Sequence, residues 1–162
     1  MNVSTSRFGT VEVSEESLVT FASGLVGLPT HTRYAVFEVE GGGGYQWLQS
    51  LDDETLAVVM MPAEILEPDF VRTIPQESVA ELDIQDDDQV SISVIVTIPP
   101  GQPDRATANF RAPIVVNLRT RMAKQVILHE SIPLHVPLMP DHANDGVAVE
   151  TEQVCLEGAI KA

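Results

Sequence analysis

The sequence has little cysteine and no long apolar run, and both absences limit the classes of protein to which the chain can belong. Cys155 is the only cysteine, so no disulfide can form within the chain, which fits a reducing compartment. No stretch reaches the about 20 apolar residues of a membrane span, and residues 1–7 lack the apolar run of a signal peptide. We therefore predict a cytoplasmic protein with no membrane partner.

Positive charge is also scarce. The chain has 9 basic and 24 acidic residues, a net charge of -15. Such a surface repels phosphate backbones, which predicts that the protein does not bind nucleic acid directly. The acidic excess is compatible with a basic protein partner or with a purely solubilising surface, and the composition leaves both open.

Sequence motifs for catalysis are absent. The chain has no Gly-x-Ser-x-Gly turn, no phosphate-binding loop and no His-Glu-x-x-His pair. The spacing of His129, His135 and His142 does not match a metal-ligand pattern. Acidic pairs such as Asp52-Asp53 lie in predicted turns, where solvated carboxylates are ordinary. We predict a protein that is not an enzyme and that holds neither metal nor cofactor.

Short β-type runs separated by turn residues dominate the chain of 162 residues. The clearest is 89–98, where Val90, Ile92 and Val94 share one face of an alternating strand. The best helix candidate is short, Gln76 to Leu82. The pattern predicts an all-β domain, a small antiparallel barrel-like or sandwich fold with one short helix. The other predicted strands are 8–13, 18–22, 34–39, 45–51, 56–61, 106–110, 114–118 and 124–128.

The character of the chain changes after Leu138. Residues 139–162 carry five acidic residues and a single lysine, and Val149, Leu156 and Ile160 lie at roughly helical spacing. We predict a β domain over residues 1–138 and an acidic C-terminal extension over 139–162, which is either a tail or a docked helix.

Six carboxylates without an intervening lysine or arginine form the densest charge feature. So many neighbouring acids repel one another unless they are solvated or matched by cations. A solvated face and a docking patch for a basic protein are equally open. The six are Glu77, Glu81, Asp83, Asp86, Asp87 and Asp88.

Uncharged amides and the only tryptophan lie in strand-like runs. Trp47 is more often a core residue, although tryptophan is also enriched at binding hot spots. Gln49 lies in the same run, and its amide suggests buried hydrogen bonding or a binding face. Asn109 and Asn117 are unusual in strands; each either holds a turn or bulge through backbone hydrogen bonds or presents its amide to a partner.

Several of these segments, taken in order, resemble the FliW family of flagellar assembly factors. Each piece is short, but the ordered set covers roughly residues 1–138. The segments are Phe21 to Leu28, Trp47 to Ser50, Leu56 to Val59 with Pro62, Ile95 to Pro99, Thr107 to Leu118, Ala123 to Leu128, and Pro137-Leu138.

The resemblance implies a small β-barrel-like protein without enzymatic activity. Members of that family bind flagellin in the cytoplasm, and they bind the translational regulator CsrA and relieve its repression of flagellin synthesis. We therefore expect flagellin and a CsrA-type regulator as competing partners of a chain that is monomeric when unbound. The alternative is a small-ligand-binding β-barrel or an enzyme of unfamiliar type, which would need a closed apolar pocket with convergent polar groups. Candidate partner-binding residues are Trp47, Gln49, Glu77, Glu81, Asp83, Asp86, Asp87, Asp88, Asn109 and Asn117.

Overall fold

The computed structural model describes residues 2–38, 44–70 and 74–138, and in this part most of the regular secondary structure is β-strand. The only α-helix there, α1, spans Ala63–Leu66, and 3-10 helices lie at Glu15–Ser17, Gln76–Leu82 and Pro103–Arg105. No helix in the described ranges is long and apolar enough to cross a membrane. The strands are β1 (Asn2–Thr5), β2 (Gly9–Glu12), β3 (Leu18–Phe21), β4 (Arg33–Glu38), β5 (Gln46–Ser50), β6 (Ala57–Pro62), β7 (Val90–Thr97), β8 (Thr107–Asn117), β9 (Met122–Gln125) and β10 (Val136–Pro137).

Seven of these strands close into a barrel. The sheet runs β8-β7-β6-β5-β4-β3-β9, and β9 also pairs with β8, which completes the ring. All neighbours are antiparallel except β3 and β9, which pair in parallel over two residue pairs. The strand β10 adds to the start of β8, and β1 and β2 form a separate hairpin. The predicted all-β class is confirmed, and of its two forms the barrel is the one adopted.

The barrel is packed on both sides of its wall. Buried side chains from all seven strands fill the interior, among them Phe21, Tyr34, Leu48 and Ile114. A second core lies outside β6, β7 and β8, under α1, the 3-10 helix Gln76–Leu82 and the segment 126–138. A third, smaller cluster lies where the β1–β2 hairpin covers β4. Because both faces of these strands are buried, their apolar residues are not confined to one side.

The strand β7 illustrates this double packing. Its predicted face with Val94 and Val96 points to the outer core, while Ile95 points into the barrel. Two buried hydroxyl residues, Ser93 and Thr97, share the alternation of Ile95. One face of β7 therefore carries polar residues, yet both faces are buried along the second half of the strand.

Several predicted elements differ from the structure. The runs 106–110 and 114–118 are one strand, β8, and the last barrel strand begins at Met122 rather than at Lys124. The strand β1, Asn2–Thr5, has no counterpart among the predicted strands. The predicted helix has the expected bounds, Gln76–Leu82, but is a 3-10 helix. The helix α1 instead follows Pro62, outside every predicted element.

Candidate functional site

The candidate site is built on the acidic segment, residues 76–88. A 3-10 helix, Gln76–Leu82, follows Pro75 and ends at Asp83, whose backbone is left-handed (φ 49°, ψ 48°). The buried Leu82 anchors this helix in the outer core. The anchor holds the segment against the barrel wall and leaves most of its carboxylates on the surface.

Two cations from the β8–β9 region reach the acidic segment. Lys124 of β9 pairs with Glu81, with a distance of 2.8 Å between Nζ and Oε1. Arg119, in the turn after β8, places its Nε 2.7 Å from Oδ1 of Asp88 and its Nη2 3.7 Å from Oδ2 of Asp83. Arg119 also donates to the backbone oxygen of Asp83. Neither cation is adjacent to the segment in sequence, so the sequence alone could not reveal these pairs.

Asp88 is the most constrained of the six acids. Its side chain is only 5% exposed, and besides Arg119 it accepts hydrogen bonds from the backbone N–H of Gln85 and from the amide of Asn117. The Arg119 hydrogen bond, followed by that from Gln85, lowers the pKa of the Asp88 carboxyl from 3.8 to about 2. Asp88 therefore remains ionised at neutral pH, and its hydrogen bonds connect the acidic segment to Arg119 and Asn117.

Asn117 completes this arrangement, which we call the Asp88 lock (Asp88, Arg119 and Asn117). The fully buried amide of Asn117 donates to the backbone oxygen of Leu82 and to Asp88. Its carbonyl oxygen accepts from the backbone N–H of Arg119. The amide thus joins the end of the 3-10 helix to the turn after β8, the structural role that was one of its two predicted alternatives.

The remaining acids of the segment are on the surface. Glu77, Asp86 and Asp87 are exposed, and none of them makes an ion pair with another described residue. The charge that the segment presents to solvent therefore comes chiefly from these three residues and from Asp83, whose side chain is 76% exposed.

A groove of about 890 Å³ runs between the acidic segment and the outer faces of β7 and β8; we call it the acidic groove. Aspartates stand along it at positions 83, 86 and 88. Its apolar floor and walls are half-buried or partly exposed, apart from the buried Val115. The apolar lining residues are Ile74, Val79, Ala80, Ile84, Val90, Ile92 and Val115.

The other predicted residues lie away from this groove. Trp47 is half-buried on the outside of β5, where its ring meets Phe8 edge-on at 5.2 Å and lies under the Arg7 guanidinium at 4.9 Å. Gln49 is buried, and its amide donates to backbone oxygens, including that of Leu56. Asn109 accepts hydrogen bonds from the backbone N–H groups of residues 111 and 112.

Outside the acidic segment, the described residues include one further cluster of charged side chains, in which Arg33 pairs with Asp52 and His31 lies 3.9 Å from Asp53. Within the described ranges, no three or more histidine, cysteine, aspartate or glutamate residues are placed to hold a metal ion. His129 is bonded through Nδ1 to Ser131, whereas His142 and Cys155 lie outside the described residues.

The sequence matches a known family. The model of the family described as FliW protein matches residues 2–138. A protein named flagellar assembly factor FliW from Thermosipho africanus is 33% identical over 123 residues, which are 76% of this chain and 85% of the relative. One from Syntrophus aciditrophicus is 34% identical over 131 residues, 81% of this chain and 82% of the relative.

A third relative and a solved structure extend the likeness. The flagellar assembly factor FliW of Bdellovibrio bacteriovorus is 29% identical over an alignment of 167 positions, which covers 99% of this chain and 95% of the relative. That alignment therefore continues past Leu138, where the family model ends. A structure described as the crystal structure of the flagellar assembly factor FliW superimposes with a TM-score of 0.75 at 27% identity, covering 87% of this chain and 99% of that chain.

Proposed function

This chain belongs to the FliW family, and we propose that it serves flagellar assembly as a binding protein of the cytoplasm. In this proposal it binds flagellin and a CsrA-type translational regulator in competition with each other. Binding of the regulator relieves its repression of flagellin synthesis. The family resemblance supplies the two partners, and the relatives' names supply the role in assembly.

The observation that carries a binding role is the acidic groove. Its apolar floor is half-exposed in the isolated chain, and exposed aspartates stand along it. A regulator that binds RNA needs a cationic surface, and a negative surface attracts such a protein. The groove thus supports protein docking more directly than any other feature of the described chain.

We propose that the protein does its work without catalysis, metal or cofactor. Buried side chains fill the barrel interior, which leaves little support for the alternative of a small-ligand barrel. We also propose that the unbound chain is a monomer that binds neither nucleic acid nor membrane, which its net charge of -15 supports.

Retention of purified partners tests the proposal. The full chain is immobilised and exposed to flagellin, to the CsrA-type regulator of the same organism, and to both together. We expect each partner to be retained alone and flagellin to displace the regulator in the mixture. If neither protein is retained, the proposed function is wrong.

A further inference from the structure

We infer that the acidic groove binds an amphipathic segment of a partner protein, with apolar side chains against its floor and lysine or arginine residues facing its aspartates. The inference rests on the proposed function, because it says how a binding protein of this kind holds one of its partners. It adds the chemistry of the segment and the residues that recognise it.

The floor of the groove provides the first argument. The outer row of β7 is buried at Val94 and Val96, whereas Val90 and Ile92 pack against the outer core but are only half-buried. Ile84, in the acidic segment, is 36% exposed and lines the same groove. Burying these partly exposed aliphatic side chains under apolar side chains of a partner is favourable, because it removes apolar surface from water.

The charge around the groove favours a basic segment. Asp86 and Asp87 are exposed, and Asp83 presents most of its carboxylate to solvent. The nearby cations Arg119 and Lys124 are engaged in ion pairs with the acidic segment itself. A segment with apolar residues alone would leave the aspartates unmatched, and one with basic residues alone would leave the floor open. The groove as a whole therefore fits an amphipathic basic segment.

The Asp88 lock favours binding at the groove, because it fixes one wall of the groove before any partner binds. Arg119 bonds both the carboxylate of Asp88 and the backbone oxygen of Asp83, and Asn117 bonds the backbone oxygen of Leu82. A preformed wall lowers the ordering cost of binding. Arg119 is thus a positioning residue for the groove, although its own charge has the wrong sign for a basic partner.

Synthetic peptides test the inference on the full chain. The probe is a peptide of leucine and lysine at amphipathic helical spacing, and its comparison peptide has serine in place of leucine. We expect calorimetry to show binding of the Leu–Lys peptide, and Ile84→Gln to weaken it about tenfold. A matched change outside the groove, Ile98→Gln, replaces an isoleucine that is 39% exposed and should leave the affinity unchanged. Equal binding of the Ser–Lys peptide, or no binding of the Leu–Lys peptide, would overturn the inference.

Charge removal tests the aspartates separately. The double variant Asp86→Asn with Asp87→Asn should slow association several-fold and reduce its dependence on salt. Asp88 is left intact because its replacement would disturb the lock. The control, Glu12→Gln with Glu38→Gln, removes the same charge from exposed positions of β2 and β4. If both pairs of substitutions have the same effect, Asp86 of the groove and the neighbouring Asp87 are not the recognition element.

A change of Arg119 separates groove shape from net charge. Arg119→Met makes the protein more negative, so attraction by charge alone would strengthen binding of the Leu–Lys peptide. Loss of the preformed wall would weaken it, and we expect an affinity at least several-fold lower. The control is Arg33→Met, which makes the same charge change away from the groove and should not weaken binding. Arg33 lies on β4 and pairs with Asp52. Stronger binding by the Arg119 variant would show that the lock has no positioning role.

The same variants distinguish this inference from the proposed function. If the unmodified chain retains neither flagellin nor the regulator, the proposed function fails whatever the peptides do. If it retains a partner, and Ile84→Gln and the Asp86/Asp87 variant retain both partners equally well, the groove is not the docking surface and the inference alone fails.

Discussion

At the scale of single residues, the carboxylates of the acidic segment do two different things. Glu81, Asp83 and Asp88 contact Lys124 or Arg119, whereas Asp86 and Asp87 are exposed to solvent without a described ion pair. Substitutions within the segment should therefore divide into those that alter the fold locally and those that alter only the surface charge.

Acid titration should show the structural role of Asp88. Its pKa in the folded protein is about 2, below the ordinary value of 3.8, so its ionised form stabilises the fold above about pH 4. That stability is lost as the pH falls through about 2. We expect Asp88→Asn to lower the Tm at pH 7 and the difference from the unmodified protein to become much smaller as the pH falls toward 2.

Thermal unfolding followed by circular dichroism from pH 7 to pH 2 measures this difference. Asp86→Asn is the matched control because Asp86 is exposed and makes no described ion pair. If the two variants follow the same pH curve, the Asp88 lock does not contribute to stability.

Removal of the Asn117 amide should destabilise the fold. Asn117→Ala leaves the backbone oxygen of Leu82 without its buried donor and Arg119 N–H without its acceptor. We expect the free energy of unfolding to fall by about 1–3 kcal/mol, the usual cost of an unsatisfied buried polar group. Urea unfolding measures it, and an unchanged midpoint and slope would contradict the prediction.

At the scale of elements, β8 does the most to organise the barrel. It runs for 11 residues, pairs with β7 along its length, with β10 at its start and with β9 at its end. The register between β7 and β8 shifts at a bulge. Ser93 pairs with Ile114 and Ile95 pairs with Asn109, so four unpaired residues of β8 lie opposite one residue of β7. Within this bulge the Asn109 side chain accepts from the backbone N–H groups of residues 111 and 112, and Pro113, which has no N–H to donate to a ladder, lies among the same four positions.

The turn between β3 and β4 offers a matched pair of glycines. Gly24 has φ +67°, and an added Cβ would stand 2.2 Å from the backbone oxygen of Leu28. Gly27 has φ +83° with open space around it. Replacement by alanine costs about 1–2 kcal/mol of left-handed strain at either position, and Gly24→Ala adds a backbone collision. We expect a clearly larger loss of Tm for Gly24→Ala; equal losses in thermal unfolding would contradict the described turn.

At the scale of the whole molecule, the barrel is closed by its shortest pairing. The β3–β9 seam has two residue pairs, supplemented by a hydrogen bond from the Thr20 N–H to the backbone oxygen of Arg121. The β7–β8 ladder has seven residue pairs and both faces in a core. The barrel should therefore open first at the seam.

Amide hydrogen exchange measures that opening. We expect the Thr20 amide to exchange at least about tenfold faster than the slowest amides of β7 and β8, because local opening needs less free energy where few contacts break. Residue-resolved exchange by NMR at fixed pH and temperature gives the comparison. Equal protection at the seam and in the β7–β8 ladder would show that the barrel unfolds as one unit.

Sequence by itself determined what depends on neighbouring residues. Alternation along runs such as 89–98 and turn residues between them predicted the all-β class, and most strands were located to within a few residues. The ordered motifs identified the family, and the charge count predicted an acidic surface. The partner-binding roles of the ten candidate residues stay predictions.

Only the tertiary structure decided which distant residues meet. The closure of the barrel joins Leu18 to Arg121, which are 103 positions apart, and the lock joins Asp88 to Arg119 across 31. Periodicity reports which side chains share a face but not what covers that face, so it could not show that β7 is buried on both sides. For the same reason the sequence showed six similar acids, while the fold placed cations beside three of them and an apolar groove beside the exposed Asp86.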